Sequence, residues 1–157
     1  MAILSAQISF KKGLAALVDD DPAVAVVHFR EAMRIEDQRA SRPTMRFLSY
    51  YGYCLARTGR AGGDALRACE TAAAREPRDA DLLLNLGRVY MLAGKPKAAR
   101  STLDRGLRIS PGNRALQRER ARAELCISGP HRSNLADRSR SLAARLLTAL
   151  RPRTAAF

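Results

Sequence analysis

The sequence has no tryptophan, and it has only four phenylalanines and four tyrosines in 157 residues. A core made by this chain has to be mainly aliphatic, which argues against a β-sandwich or β-barrel, because strands favour aromatic and β-branched residues. Long apolar runs are also absent: the longest are about five residues, as at 23–27, far short of a membrane span. At the amino terminus, apolar residues precede Lys11 and Lys12, which reverses the order of a signal peptide. We therefore expect neither a transmembrane nor a secretory segment.

Cysteine and histidine are scarce. Cys54, Cys69 and Cys126 are odd in number and widely spaced, which fits neither a disulfide framework nor a zinc site. This usage favours a reducing compartment and predicts a cytoplasmic protein. The two histidines, His28 and His131, lie far apart and have no carboxylate or cysteine at ligand or triad spacing.

Motifs that carry catalysis are missing as well. The sequence has no Gly-rich phosphate loop, no HExxH and no GxSxG. Its one dense carboxylate cluster is Asp19–Asp20–Asp21, a type of cluster that can hold Mg²⁺ loosely through water. We interpret it instead as a turn in which Asp21 caps a helix beginning at Pro22. The sequence thus predicts no catalytic residue, no metal site and no cofactor, and the chain is not expected to be an enzyme.

What the sequence does contain is a repeated unit of 34 residues, clearest at 80–113. Small residues recur where two helices would cross, apolar residues recur at three- and four-residue steps, and a glycine and a proline mark the turns. The positions that carry this pattern are Leu86, Gly87, Tyr90, Gly94, Ala99 and Pro111. Residues 45–79 fit the same template with one extra residue in the turn, where Asp64 is expected to cap a helix, and residues 6–39 form a third copy.

These units resemble the tetratricopeptide repeat, of the small three-repeat bacterial type. The resemblance implies an all-α, right-handed solenoid of three helix pairs at 6–39, 45–79 and 80–113. We expect a capping helix at 114–126 to complete a domain spanning 1–126, because the open end of such a stack needs a polar outer face. A linker at 127–134 and a basic amphipathic helix and tail at 135–157 would follow. The apolar face of that helix consists of Leu135, Leu142, Leu146 and Leu150.

In this family the first helices of successive units line a concave groove that binds peptides. Carrying the family's groove positions onto this sequence gives a mixture of aromatic, amide and arginine side chains, which suits an extended or helical segment of acidic character. The partner-binding candidates are Lys11, Leu14, Arg46, Tyr50, Tyr53, Arg57, Asn85, Arg88 and Met91. The same positions also include Phe10 and Leu92.

Some members of the family clamp the carboxy terminus of chaperone peptides with lysine, asparagine and arginine side chains at fixed groove positions. At those positions this sequence has Phe10, Leu14, Tyr50, Asp81 and Asn85. None of them agrees with the family's clamp. A dicarboxylate clamp for chaperone tails is therefore not expected.

The chain carries a formal charge of +13, and its arginines are dense after residue 113. The leading interpretation is a non-enzymatic scaffold or adaptor that binds a protein or peptide in the groove, the tail helix either filling that groove or mediating self-association. One alternative is a chaperone similar to those of type III secretion, which share the size and layout but are usually acidic. Another is nucleic-acid binding through the Arg-rich tail; against it, the arginines of that tail are interleaved with leucine and alanine and not with the aromatic residues that stack on bases.

Overall fold

The computed structural model describes residues 2–37, 44–59 and 62–129. Within these ranges the chain forms seven α-helices and no strand, and residues up to Cys126 form one compact unit. The helices are α1 (Ala2–Val18), α2 (Pro22–Asp37), α3 (Met45–Thr58), α4 (Gly62–Arg75), α5 (Ala80–Leu92), α6 (Pro96–Ile109) and α7 (Arg114–Ser128).

The helices pack as successive pairs, α1 with α2, α3 with α4 and α5 with α6. Helix α3 also contacts α2 and α5, and α4 contacts α5, so each pair stacks on the next. This arrangement confirms the three helix pairs predicted from the repeat. Such a stack buries its core between neighbouring units, because no single pair can cover its own apolar faces.

The helix ends follow from local chemistry. The Asp21 carboxylate accepts hydrogen bonds from the Ala23 and Val24 amides at 3.1 and 3.0 Å, which confirms the predicted cap of α2. Asp79 caps α5 in the same way. Gly94 follows the end of α5 with φ of +69°, a left-handed conformation that glycine adopts without steric cost.

The expected cap at Asp64 was wrong. Helix α4 begins at Gly62, so Asp64 lies within its first turn, where its carboxylate pairs with Arg67 one turn along. An acidic side chain is still favourable in the first turn, because it faces the positive end of the helix dipole. Helix α7 also differs from expectation, since it continues to Ser128, two residues into the predicted linker.

The helices of a pair approach closely where the sequence has small residues. A Cβ atom added to Gly87 would lie 2.6 Å from Leu103 on the partner helix, so only hydrogen fits there. A Cβ on Gly52 would lie 2.8 Å from the backbone oxygen of Ala65, which cannot move aside as a side chain can. Glycine at these crossings sets the spacing of the pairs.

The core is aromatic at one end of the stack and aliphatic at the other. Phe10 stacks on Phe47 with ring centroids 4.6 Å apart and lies 5.4 Å from Phe29. Phe10 was expected to face the groove, but it is only 7% exposed, because its ring fills the space between the first three helices. Towards α7 the core consists of leucines and alanines, with Leu103 and Leu116 fully buried.

Candidate functional site

One concave site is a pocket of about 340 Å³ that we call the arginine pocket. It is formed by residues of α3, α5 and α7 together with the turn that follows α1. The described residues that line it are Asp20, Tyr53, Arg57, Arg88, Met91, Leu92, Glu119 and Arg122.

The centre of the arginine pocket is the Tyr53 ring, which contacts two guanidinium groups. The guanidinium carbon of Arg88 lies 5.3 Å from the ring centroid, and that of Arg57 lies 5.9 Å from it. Tyr53 and Arg57 share one face of α3 because they are four residues apart, while Arg88 comes from the neighbouring helix α5. A cation over an aromatic face is attracted by the ring's quadrupole, so the ring holds both arginines in place.

Each of these two arginines also pairs with a carboxylate of the chain itself. The Arg57 Nη2 atom lies 2.5 Å from Asp20 Oδ1, and this hydrogen bond raises the pKa of Arg57. The Arg88 Nε–H donates to Glu119 Oε1 at 3.1 Å, and Arg122 Nη1 lies 3.9 Å from the other oxygen of Glu119. The pocket therefore holds three arginines against two carboxylates, so it keeps a net positive charge although each arginine faces an internal carboxylate.

The two carboxylates differ in their access to water. The Asp20 side chain is 84% exposed, whereas that of Glu119 is 18% exposed. An exposed ion pair contributes little to stability because water competes for both partners. The Arg57–Asp20 pair can therefore open at small cost, and the more covered Arg88–Glu119 pair opens less easily.

Beside the charged groups lies an apolar wall. Met91 is half-buried and Leu92 is 53% exposed. The eight lining residues include no serine, cysteine or histidine. The chemistry of the pocket suits binding: guanidinium groups for carboxylates, and an aliphatic wall for an apolar side chain.

Four of the nine sequence-predicted residues meet in the arginine pocket. The structure brings together Tyr53, Arg57, Arg88 and Met91. Arg46 instead pairs with Asp81 between α3 and α5, outside the pocket lining. Lys11 is exposed and Leu14 is half-buried against the aromatic core, both on α1.

Two predicted contact residues lie deeper than expected. Tyr50 packs edge-on against Phe10 at 5.5 Å between centroids, and burial raises the pKa of its hydroxyl. Asn85 was expected to bond a peptide backbone, but it is 1% exposed and its amide donates to the Ser49 hydroxyl at 3.2 Å. The structure therefore places Asn85 inside the helix stack and not in the lining of the arginine pocket.

Sequence reasoning missed three residues of the pocket: Asp20, Glu119 and Arg122. Glu119 and Arg122 occupy the sixth and ninth places of α7 if that helix is counted as the start of a fourth unit. Applying the groove positions to α7 would have found both. Asp20 was interpreted only as part of a turn. The leucines predicted to form the face of the tail helix, Leu135, Leu142, Leu146 and Leu150, lie outside the described residues.

Comparison with known proteins agrees with this geometry. Residues 59–125 match the model of the tetratricopeptide repeat family, which covers α4 to α7 almost entirely. Residues 59–125 therefore match this family by sequence, and the stacked helix pairs share the all-α fold of solved tetratricopeptide repeat domains. By sequence, it has no significant match among curated proteins.

The similar solved structures share the fold at low identity. The Arabidopsis OM64 TPR domain has a TM-score of 0.62 at 15% identity, over 78% of this chain and 97% of that one. The first TPR domain of Spaghetti (RPAP3), bound to the HSP90 peptide SRMEEVD, has a TM-score of 0.63 at 14% identity, over 79% and 96%. The P58(IPK) TPR domain has a TM-score of 0.66 at 13% identity, over 80% and 34%.

None of the helices in the described part of the chain has both the length and the apolar content that crossing a bilayer requires. Nor do its histidine, cysteine and acidic side chains gather in groups of three or more that could hold a metal ion.

Proposed function

We propose that this chain is a non-enzymatic adaptor whose arginine pocket binds an acidic segment of a partner protein. The observation that carries the proposal is the contact of the Tyr53 ring with both the Arg57 and the Arg88 guanidinium groups, 5.9 and 5.3 Å from its centroid. Tetratricopeptide repeats form a class of protein-interaction scaffold, and one similar structure contains a bound peptide. Arginine and tyrosine are also the residues that dominate binding energy at protein interfaces.

The recognition chemistry follows from the side chains. A guanidinium group can donate two parallel hydrogen bonds to one carboxylate, which gives direction as well as charge. The exposed Leu92 and the neighbouring Met91 supply an apolar surface next to that charge. We expect the bound segment to combine acidic residues with one apolar side chain.

Acidic recognition here differs from the clamp that binds chaperone tails in other family members. The positions of that clamp hold Phe10 and Asn85, which are buried, and Asp81, which pairs with Arg46. The arginine pocket uses other positions, from the later part of α3 and α5 and from α7. Binding in this chain therefore depends on Arg57 and Arg88.

We also propose that the protein acts in a reducing compartment such as the cytoplasm. Cys54 and Cys69 are both buried and both free thiols. Buried free cysteine behaves as a small apolar residue, and it persists where the surroundings keep thiols reduced.

The test uses labelled peptides that carry two glutamates at graded spacings around one leucine, in a Gly-Ser background. Matched peptides carry glutamine in place of glutamate. Fluorescence anisotropy should show that the wild-type chain prefers a glutamate peptide, and that Arg57→Gln and Arg88→Gln each weaken this binding by about tenfold. Tyr53→Ala should weaken it as well, because both guanidinium groups lose the ring that holds them.

Arg67→Gln is the matched control. Arg67 is a helical arginine paired with a carboxylate, like Arg57, but it is more exposed, lies on α4 and does not line the pocket. The variant therefore makes the same change in net charge. Equal losses in Arg57→Gln and Arg67→Gln would mean that binding reflects net charge alone, and equal binding of the glutamate and glutamine peptides would overturn the proposal outright.

A further inference from the structure

The turn after the first helix differs from the two equivalent turns in the residue at its left-handed position. That position, the fifteenth of each unit, is Gly59 in the second unit and Gly94 in the third, both with φ of +69°. In the first unit it is Asp20, with φ of +59°. Asp20 is the one non-glycine residue with positive φ in the described part of the chain. A side chain at this position carries a steric cost that glycine avoids.

The backbone of the turn does not require that side chain. The amide of Asp20 donates to the Leu17 carbonyl at 3.3 Å, and the amide of Asp21 donates to the Ala16 carbonyl at 2.9 Å. The turn at Gly94 makes the same two bonds: Gly94 donates to Met91 at 3.1 Å, and the next amide donates to the Tyr90 carbonyl at 2.9 Å. The two turns thus share one hydrogen-bond pattern.

What the aspartate adds is its contact with Arg57. Its carboxylate reaches across from the turn after α1 to the guanidinium group on α3, at 2.5 Å. Glu119 does the same for Arg88 from α7, on another side of the pocket. Both arginines that flank Tyr53 are therefore bound to a carboxylate of the chain itself.

We infer that Asp20 and Glu119 are internal competitors that occupy the two positions where carboxylates of the partner bind. This inference rests on the proposed function and specifies its ligand as a segment with two acidic residues, one for each arginine. Binding is then an exchange in which each incoming carboxylate displaces an internal one. Because Asp20 is far more exposed than Glu119, its release to water is the easier of the two exchanges.

The exchange makes a prediction opposite to that of an ordinary contact: removing the internal carboxylate should strengthen binding. With the same glutamate peptides, Asp20→Asn and Asp20→Gly should raise affinity by about fivefold. Both replacements suit the left-handed backbone, so the turn is retained. Glu119→Gln should also raise affinity, since the amide oxygen still accepts the Arg88 hydrogen bond but no longer competes as an anion.

Asp19→Asn is the control for charge. It makes the same change in net charge one residue away, and Asp19 is not part of the arginine pocket. Its affinity should stay within about twofold of wild type. If Asp19→Asn and Asp20→Asn strengthen binding equally, the gain is a general charge effect and the competition is disproved.

Peptides with a single glutamate test whether the ligand needs two acidic residues, which is a separate question from whether it binds in the arginine pocket. Two-glutamate peptides should bind at least about tenfold more tightly than single-glutamate ones at the best spacing. If the wild-type chain binds acidic peptides through Arg57 and Arg88 but Asp20→Asn gains nothing over Asp19→Asn, the proposed function stands and the competition fails. If neither the wild type nor any variant prefers glutamate over glutamine, both fail together.

Discussion

Asn85 on α5 donates a hydrogen bond to the hydroxyl of Ser49 on α3, over 3.2 Å, with both side chains buried. The backbone carbonyl of the same serine accepts from the Cys69 thiol on α4 at 3.3 Å. One residue thus links three helices of two successive units through polar contacts inside an apolar core. Because a buried polar group is costly without a partner, this pair also favours the observed register between the second and third units.

Replacing either member of this pair should lower stability. We expect Asn85→Ala to reduce the free energy of unfolding by about 2 kcal/mol, since it leaves a cavity and an unpartnered hydroxyl. Ser49→Ala should cost about 1 kcal/mol, and the double variant should cost less than the sum. Urea denaturation of the four proteins measures the coupling. Strict additivity would show that the hydrogen bond contributes nothing.

The same variant tests whether Asn85 contacts a bound peptide. At a temperature where Asn85→Ala remains folded, its affinity for the glutamate peptides should equal that of wild type, because the side chain lies beneath the surface. A folded variant with clearly weaker binding would show that Asn85 does contact the peptide.

Glycines at helix crossings should tolerate no side chain. We expect Gly52→Ala to destabilise the protein by about 2 kcal/mol, because the new methyl group would lie 2.8 Å from the Ala65 backbone oxygen. Gly63→Ala is its counterpart in open space, with nothing within 4 Å of the added atom. That substitution should stabilise the helix by about 0.5 kcal/mol through its propensity alone. Thermal melts followed by circular dichroism should move in opposite directions.

Adding a side chain at the left-handed position of one turn should lower stability, and removing the side chain from the equivalent position of another should not. Gly94→Ala places a side chain at φ of +69° and should cost about 1 kcal/mol. Asp20→Gly removes one at φ of +59° and should leave stability equal or slightly higher, since the lost ion pair is exposed and contributes less than about 1 kcal/mol. Chemical denaturation decides, and a strongly destabilised Asp20→Gly would show that the carboxylate holds the first unit to the second.

The buried thiols should be inert and should make the fold sensitive to alkali. Burial raises the pKa of Cys54 and of Cys69 to about 12, whereas the unfolded thiols ionise near 9.0. At neutral pH a thiol reagent should modify Cys126, which is exposed, and should reach the other two only after denaturation. Cys126→Ser should abolish the labelling of the native protein, and fast labelling of that variant would contradict the burial.

The sign of the pH effect follows from the same values. A thiol whose pKa is higher in the folded state favours folding fully below the unfolded pKa, and this contribution falls as pH rises from 9.0 towards about 12. In this range each buried thiol should lower the free energy of unfolding by about 1 kcal/mol per pH unit. Denaturation at about pH 8 and 10 measures the decline, which should be smaller in the double variant Cys54→Ala, Cys69→Ala.

The helix pairs could be predicted from the sequence because the spacing of apolar residues and the residues that form turns are local features. Glycine and proline end helices through their own backbone geometry, as at Gly94 and Pro111. The recurrence of the 34-residue unit aligned the three copies. How deeply a side chain is buried depends instead on contacts with residues far along the chain. Phe10 and Asn85 hold positions that face the groove in the family, but their burial depends on Phe47 and Ser49, which lie 37 and 36 residues away.

The arrangement of charges in the arginine pocket could be predicted from the sequence only in part. Tyr53 and Arg57 share a helix face, so their proximity follows from spacing. The pairing of Arg57 with Asp20 joins residues 37 positions apart and depends on how the first unit stacks on the second. Glu119 was overlooked because α7 was interpreted as a cap with an outward basic face, although its inward face continues the groove positions.

The uneven distribution of aromatic rings gives this chain an intrinsic spectroscopic reporter. Three of the four phenylalanines, Phe10, Phe29 and Phe47, lie in α1, α2 and α3; the fourth, Phe157, lies outside the described residues, and the sequence has no tryptophan. The sharp vibronic bands of phenylalanine in near-ultraviolet circular dichroism therefore report chiefly on the amino-terminal end of the stack, while the far-ultraviolet signal averages over every helix. Recording both during one denaturation shows whether the solenoid melts from one end or as a single cooperative body, without attaching any label.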